Sequence, residues 1–301
     1  MDALRNNMAD ASCDSECGEH HQMSPEVERR VHVLSKLHKE RNAVASEMRR
    51  EILAIERKYS SKFAALDAER AKIVNGERDP TAEELADFKS ESASDDAEKG
   101  IPGFWLRILR MHPSIAQTIE QTDLEALNAL RDIRALPIAD NPGFRLEFEF
   151  APNAFFEESV LVKEYRMAEP ESDGQGHTGR IDECVYDSVV CTPITWKAGR
   201  NLCQRTVTRV QRHRTNNTTR TVKREEPTPS FFHFFTSPHM HAQNQDGEDA
   251  PAEDVEALVD MDFAMGEILR EALVPDALNW FTGMALSYAD IDYDDEDEPW
   301  E

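Results

Sequence analysis

Apolar residues recur at helical spacing over a long early stretch of the chain: Val27, Val31, Leu34, Leu37, Val44, Met48, Ile52, Ile55, Tyr59, Phe63, Leu66 and Ile73. A stripe at three- and four-residue intervals is one face of an α-helix. Its start is marked by Ser24 as N-cap, Pro25 at the first helical position, and Glu26 and Glu28 in the first turn. No Pro or Gly intervenes until Asn75-Gly76, a C-terminal stop. The pattern predicts a helix over 24–76, about 50 residues and about 75 Å long at ~1.5 Å per residue. The stripe follows a rough heptad, with Val31, His38, Ala45, Ile52, Tyr59, Leu66 and Ile73 in one seam and Leu34, Met48 and Ile55 in the other. Arg41, Lys62 and Glu69 interrupt the second seam. This predicts antiparallel pairing with a second copy through Val31, Leu34, Met48, Ile52, Ile55, Tyr59, Phe63 and Leu66. A helix lying along its own domain is the alternative.

The period then changes. After Gly76, "ERDPTAEELADFKSESASDDAEK" reads as a short helix and an acidic, Ser-rich loop, and "GIPGFWLRILRMHPSIAQTIEQTDLEALNAL" as helical segments broken at Pro102 and Pro113. "GFRLEFEF" alternates, with Phe144, Leu146, Phe148 and Phe150 on one face and Arg145, Glu147 and Glu149 on the other: a half-buried strand. "SVLVKEYRM" and "TPITWK" read as further strands. "LCQRTVTRVQRH…TNNTTRTVKRE" reads as a long hairpin turning near Asn216-Asn217. The rings of "SFFHFF" suit the core between the last strand and the next helix. Residues 236–252 read as loop, and "EDVEALVDMDFAMGEILREALVPDALNWFTG" returns to amphipathic helix. Helices, an antiparallel meander and helices again make an α+β domain.

Charge narrows the function classes. The 301 residues hold 34 Lys and Arg against 59 Asp and Glu, a formal net charge of −25. That balance repels phosphate over most of the surface and excludes a general nucleic-acid binder. It favours a cationic partner, or solubility alone. No apolar run is long enough to span a bilayer, and the N-terminus lacks the apolar stretch of a signal peptide. Five cysteines, Cys13, Cys17, Cys184, Cys191 and Cys203, fit a reducing compartment. There is no P-loop, G-x-S-x-G, H-E-x-x-H or dinucleotide fingerprint, and the expectation is a protein without catalysis or cofactor. Cys13, Cys17, His20 and His21 are spaced too tightly for a zinc finger, and no metal is expected.

Two charged segments stand out. No acid lies between Lys197 and Arg224, where Arg209, Arg212, Arg214, Lys223 and Arg224 are candidates for nuclear import. A solvated edge hairpin explains the same residues. By contrast, residues 246–301 hold nineteen acids and a single base, Arg270. The chain closes on "DIDYDDEDEPWE", where Asp290, Asp292, Asp294, Asp295, Glu296, Asp297 and Glu298 surround Tyr293 and stand before Trp300. Carboxylates would pair loosely with a basic partner, and a buried ring would add a salt-resistant anchor.

Together these stretches resemble the nucleosome assembly protein family of histone chaperones. The similarity rests on "AIERKYSSKFAALDAERAKIVNGE", "KGIPGFWLRIL", "LNALRDIRALP", "GFRLEFEFAPNAFFEESVLVKEY", "ITWKAGRNL", "TVKREEPTPSFFHFFTSP" and "DFAMGEILREALVPDALNWFTG", in the family's order over about 27–290. The resemblance implies an α+β fold in which a long dimerisation helix is followed by an antiparallel sheet domain backed by helices. It implies an acidic concave face for core histones, with Glu147, Glu149, Glu157 and Glu158 as candidates alongside the tail residues named above. The implied cargo is the outer two-A/two-B histone dimer and also the central three/four pair, carried between nucleus and cytoplasm with an importin as possible partner. Neither membrane attachment nor tight direct DNA binding is expected. The corresponding division is a flexible arm over 1–23, the dimerisation helix over 24–76, an accessory acidic segment over 77–100, the histone-binding domain over 101–288 with its basic hairpin at about 202–224, and the tail over 289–301. Ser92 and Ser94 are candidate phosphorylation sites. A coiled-coil scaffold, or a nucleic-acid-associated protein working through the basic hairpin, is the competing reading.

Overall fold

Ser24 caps the first helix. Its hydroxyl accepts the Val27 amide at 3.4 Å and its carbonyl the Glu28 amide at 2.9 Å. In the computed structural model, helix α1 runs from Pro25–Val74 and ends where Gly76 takes φ +68°, a left-handed conformation that suits glycine. The structure describes residues 24–88, 99–138, 143–168, 185–212, 219–238 and 252–289. Up to Arg49 the helix is a unit of its own, and from Arg50 it belongs to the main body. Within the body, Arg57 donates to the Ile138 carbonyl at 3.1 Å and Arg70 to the Val274 carbonyl at 2.9 Å. The Val74 carbonyl accepts the Ile101 amide at 2.7 Å. Ile52, Ile55, Tyr59, Phe63 and Leu66 remain exposed, as do Val31, Leu34 and Met48 in the N-terminal unit.

The short helix expected after Gly76 is a series of turns instead. Thr81 and Glu84 make the reciprocal bonds of a helix start, amide to carboxylate at 2.8 Å and amide to hydroxyl at 3.3 Å. Only Leu85 to Thr81 continues at helical spacing; Ala86 to Glu83 and Phe88 to Leu85 are tighter turns. Leu85 and Phe88 stay exposed, so burial does not offset the cost of nucleating a helix. The Ser-rich part of this segment lies outside the described residues.

Three short helices follow: α2 (Phe104–Met111), α3 (Pro113–Ala116) and α4 (Leu124–Leu127). Pro113 opens α3, where its missing amide is not needed. Next comes an antiparallel sheet in the order β1 (Leu130–Pro137), β2 (Gly143–Phe150), β3 (Val160–Ala168) and β4 (Val185–Cys191). β2 alternates as its sequence demands, with Phe144, Leu146, Phe148 and Phe150 buried.

"TPITWK", expected as a strand, is not one; the strand is the preceding "VYDSVVC" of β4. Pro193 lacks an amide for a ladder, and the Thr195 amide bonds the Glu158 carboxylate at 3.0 Å. One bridge, Trp196 to Phe156, is what remains of strand pairing there. β5 (Gln204–Arg212) and β6 (Thr219–Pro227) form a separate two-stranded hairpin, paired from Gln204↔Pro227 to Arg212↔Thr219. Asn216 and Asn217 fall between these strands, outside the described residues.

The core sits on the inner face of the four-stranded sheet. Phe231, Phe232, Phe234 and Phe235 form a 3-10 turn, all buried. Phe148 meets Phe235 edge to face at 5.0 Å, and Phe156 lies 5.6 Å from Phe232. A buried carboxylate fixes this turn: Asp123 accepts the Ser230 hydroxyl and the Phe231 amide, each at 2.7 Å, and the Glu120 amide at 3.0 Å. Helix α5 (Ala252–Glu267) closes the far side and passes into a π-helical stretch, Ile268–Leu273. α6 (Ala277–Thr282) and α7 (Met284–Ala289) complete the described chain. α5 is tied to β3 by Lys163, which is fully buried and donates to both the Asp262 carboxylate and the Phe234 carbonyl. Tyr165 donates to the Asp262 carbonyl at 2.9 Å. A Cβ at Gly266 would sit 2.6 Å from the Tyr165 ring, so only glycine lets α5 approach this closely.

Candidate binding surface

The alternation that buries four side chains of β2 turns Arg145, Glu147 and Glu149 to the other face. Pairing with β1 sets Arg134 opposite Glu147 and Asp132 opposite Glu149, and pairing with β3 sets Glu164 opposite Arg145. The result is a lattice of mixed charge, in which the like-charged pair Asp132 and Glu149 shares Arg134. Arg134 Nη2 lies 2.9 Å from Glu149 and 3.9 Å from Glu147, and its Nε lies 3.5 Å from Asp132. Arg145 reaches Glu147 at 2.7 Å, and Arg166 reaches Glu164 at 2.8 Å. Arg70 of α1 approaches Asp132 from the side at 3.9 Å.

Asp132 is the unusual member. Burial pushes its carboxyl from an ordinary 3.8 up to about 6, against the pull of Arg70 and Arg134. Both partners are at long range, so desolvation prevails. Lys163, inside the sheet, is shifted down by burial, with Asp262 opposing the shift. The two thiols described make poor nucleophiles: burial raises Cys191 and lifts Cys203 to about 11. Among the described residues no group of His, Cys, Asp or Glu is placed to hold a metal ion, and no helix is long and apolar enough to cross a membrane. What this face presents is a set of paired carboxylates and guanidinium groups, the chemistry of ionic recognition.

The candidates fall into five groups. Glu147 and Glu149 lie in the lattice and already hold arginines. Glu157 is exposed in the segment between β2 and β3, where Glu158 is engaged by the Thr195 amide. The helix candidates Val31, Leu34, Met48, Ile52, Ile55, Tyr59, Phe63 and Leu66 share the exposed stripe of α1. Of the import candidates, Arg209 and Arg212 lie on β5 and Lys223 and Arg224 on β6, with Arg224 exposed; Arg214 is outside the described residues. The tail candidates Asp290, Asp292, Tyr293, Asp294, Asp295, Glu296, Asp297, Glu298 and Trp300 are outside them too, as are Cys13, Cys17, His20, His21, Ser92 and Ser94.

Sequence reasoning missed Asp132, Arg134 and Arg70. Their signal was an acid-base-acid complementarity between "RDIRALP" and "RLEFE", readable only once β1 is known to be a strand and its register is set.

Comparison with known proteins points one way. A family model described as Nucleosome assembly protein (NAP) matches residues 29–284. Nucleosome assembly protein 1;2 of Nicotiana tabacum is 32% identical over 276 residues, 90% of this chain and 70% of the relative. A protein of the same name from Oryza sativa subsp. indica is 32% identical over 279 residues, 91% of this chain and 73% of the relative. Among solved structures, nucleosome assembly protein 1 from Plasmodium knowlesi superposes with a TM-score of 0.57 at 25% identity, covering 87% of this chain and 98% of that one.

Proposed function

The chain belongs to the nucleosome assembly protein family, and from that membership we propose that it is a histone chaperone. It binds the outer two-A/two-B histone dimer, and also the central three/four pair, by electrostatic shielding with no chemical step. The observation that carries this reading is the family match over 29–284, and the net charge of −25 agrees with it. Histones are strongly basic, so a soluble polyanion competes with DNA for them and releases them where DNA wins. Since Glu147 and Glu149 are already paired, most of the capture falls to residues 246–301, with the tail carboxylates and the Tyr293 and Trp300 rings as its outer part.

Two copies associate along the exposed stripe of α1, which buries the apolar side chains that a single chain leaves in water. The basic hairpin serves passage into the nucleus, and the protein moves between nucleus and cytoplasm. Light scattering on a sizing column, with and without the outer histone dimer, tests the whole reading. Two chains should elute together and take up histone stoichiometrically, and DNA should compete the histone away. Tight binding to duplex DNA alone, without histone capture, would favour the nucleic-acid-associated alternative. Replacing Ile52, Ile55 and Tyr59 with Asp should yield monomer or aggregate, because each copy would bury unpaired charge. A soluble dimer of unchanged size would overturn the seam.

A further inference from the structure

We propose that the outer face of the sheet is a guanidinium-exchange surface: Arg134 occupies a seat of three carboxylates, Asp132, Glu147 and Glu149, that an arginine of the basic guest takes over. The proposal rests on the chaperone reading for the identity of that guest, but not for the existence of the seat.

Three observations support it. First, one guanidinium is shared among three acids, at 2.9 Å from Glu149, 3.5 Å from Asp132 and 3.9 Å from Glu147. Only the first is a hydrogen bond, and Arg134 Nε is buried with no hydrogen-bond partner. A guanidinium can form two parallel bonds to a carboxylate, and this one does not. Second, the cation and the deepest anion differ in access. The Arg134 side chain is 36% exposed and able to turn into water, whereas that of Asp132 is 5% exposed and cannot follow. Asp132 Oδ1 is buried with no hydrogen-bond partner, and Arg70 stands 3.9 Å away. Third, Arg145 meets Glu147 through one nitrogen at 2.7 Å as an ion pair rather than an aligned hydrogen bond, with its Nε again unpartnered.

A buried carboxylate left without a cation is costly, so Arg134 leaves only as another guanidinium arrives. The partly exposed contact with Glu149 is worth little, and an incoming guanidinium restores the pairing of the two more deeply buried acids, so the exchange costs little in either direction. The resting face is thus closed to loose cations and open to a competitor that reproduces the planar donor fork. An ammonium, a compact point charge, spans the three acids less well. The domain's own arginines act as occupants that keep its carboxylates from indiscriminate capture.

The test must read this face apart from residues 246–301, whose nineteen acids also attract a cationic peptide. The full-length protein is titrated with acetyl-Arg-Ala-Arg-amide and with acetyl-Lys-Ala-Lys-amide, following the backbone amides of Glu147 and Glu149 and the Nε–H of Arg134 by nuclear magnetic resonance. The arginine probe should move all three signals and bring the Arg134 Nε–H to its solvent-exposed position; the lysine probe should do so weakly. In Arg134→Gln, the affinity read at those amides should rise about five-fold for the arginine probe and less than about two-fold for the lysine probe. Glu149→Gln should lower both. An Arg134 signal that stays fixed at saturation, or an Arg134→Gln affinity that is unchanged or lower, overturns the proposal. Should Arg134→Gln fail to fold, the Arg134 signal of the unmodified protein decides alone. Histone capture without any response of this face refutes the exchange and leaves the chaperone reading standing. Exchange without histone capture does the reverse.

Discussion

The two faces of the four-stranded sheet hold a cation in opposite ways. On the inner face Lys163 is fully enclosed between Asp262, the Phe234 carbonyl and the Phe234 ring, whose centroid lies 4.0 Å from the ammonium. On the outer face Arg134 rests on carboxylates while more than a third of its side chain meets water. The first charge fastens α5 to the sheet and has no route out. The second is held by one short contact. Formal pairing alone does not tell a structural charge from an available one; access of each partner to water does.

The largest effect should come from breaking the inner pair. Lys163→Met removes the ammonium from a largely buried ion pair, whose Asp262 side chain is only 12% exposed, and should cost about 3–5 kcal/mol, read as a lower urea midpoint at constant m. Adding Asp262→Leu should recover most of that loss. If the single variant is near neutral, the enclosure of Lys163 is not what fastens α5.

An intermediate effect concerns the point where the two modes meet, Asp132, which faces the outer lattice yet is buried. Folding raises its carboxyl above the ordinary 3.8 to about 6, so the folded state binds the proton more tightly than the unfolded one. Its contribution is therefore most favourable at low pH, declines as pH rises from about 4 through about 6, and levels off at a penalty of about 3 kcal/mol. Arg70 and Arg134 reduce that penalty, while Glu149 and Asp67 add to it. Asp132→Asn should flatten this part of the stability–pH curve. A curve that keeps its slope would locate the titration elsewhere.

The smallest effect belongs to Arg145, half-buried and paired with Glu147 through a single ionic contact. Arg145→Gln should change stability by about 0–1 kcal/mol. A loss above about 2 kcal/mol would make the outer lattice as structural as the inner pair and erase the contrast.

The same contrast explains what could be read from the chain. α1 was legible because its Ser-Pro start, apolar stripe and Asn-Gly end are local signals, and β2 because its alternation is complete. β1 was not, since "LRDIRALP" carries charges at consecutive positions, shifts register between Leu130 and Asp132, and buries Asp132 and Ile133 in succession, hiding a two-residue period. β4 was overlooked for the neighbouring "TPITWK", whose β-rich residues are diverted by Pro193 and Glu158. The phenylalanine turn was legible as core, but its fastening by Asp123 was not, because a contact spanning more than a hundred positions leaves no local trace. The outer lattice was least legible: its acids were visible, while their partners depend on register.

That fastening also orders events during synthesis. Asp123 bonds Ser230 and Phe231 across 107 and 108 positions, and Lys163 meets Asp262 across 99. Contacts so far apart close late, after the hairpin-linked pairs of the meander. While the chain emerges from the ribosome, the sheet can pair before its phenylalanine turn exists, leaving Phe148, Phe150 and Phe156 bare while the residues between Cys191 and Phe231 are added, about 2–8 s at ~5–20 residues per second. The nascent sheet is thus an interval of exposed rings that ends only when Phe231 and Phe232 arrive and Asp123 receives the Phe231 amide.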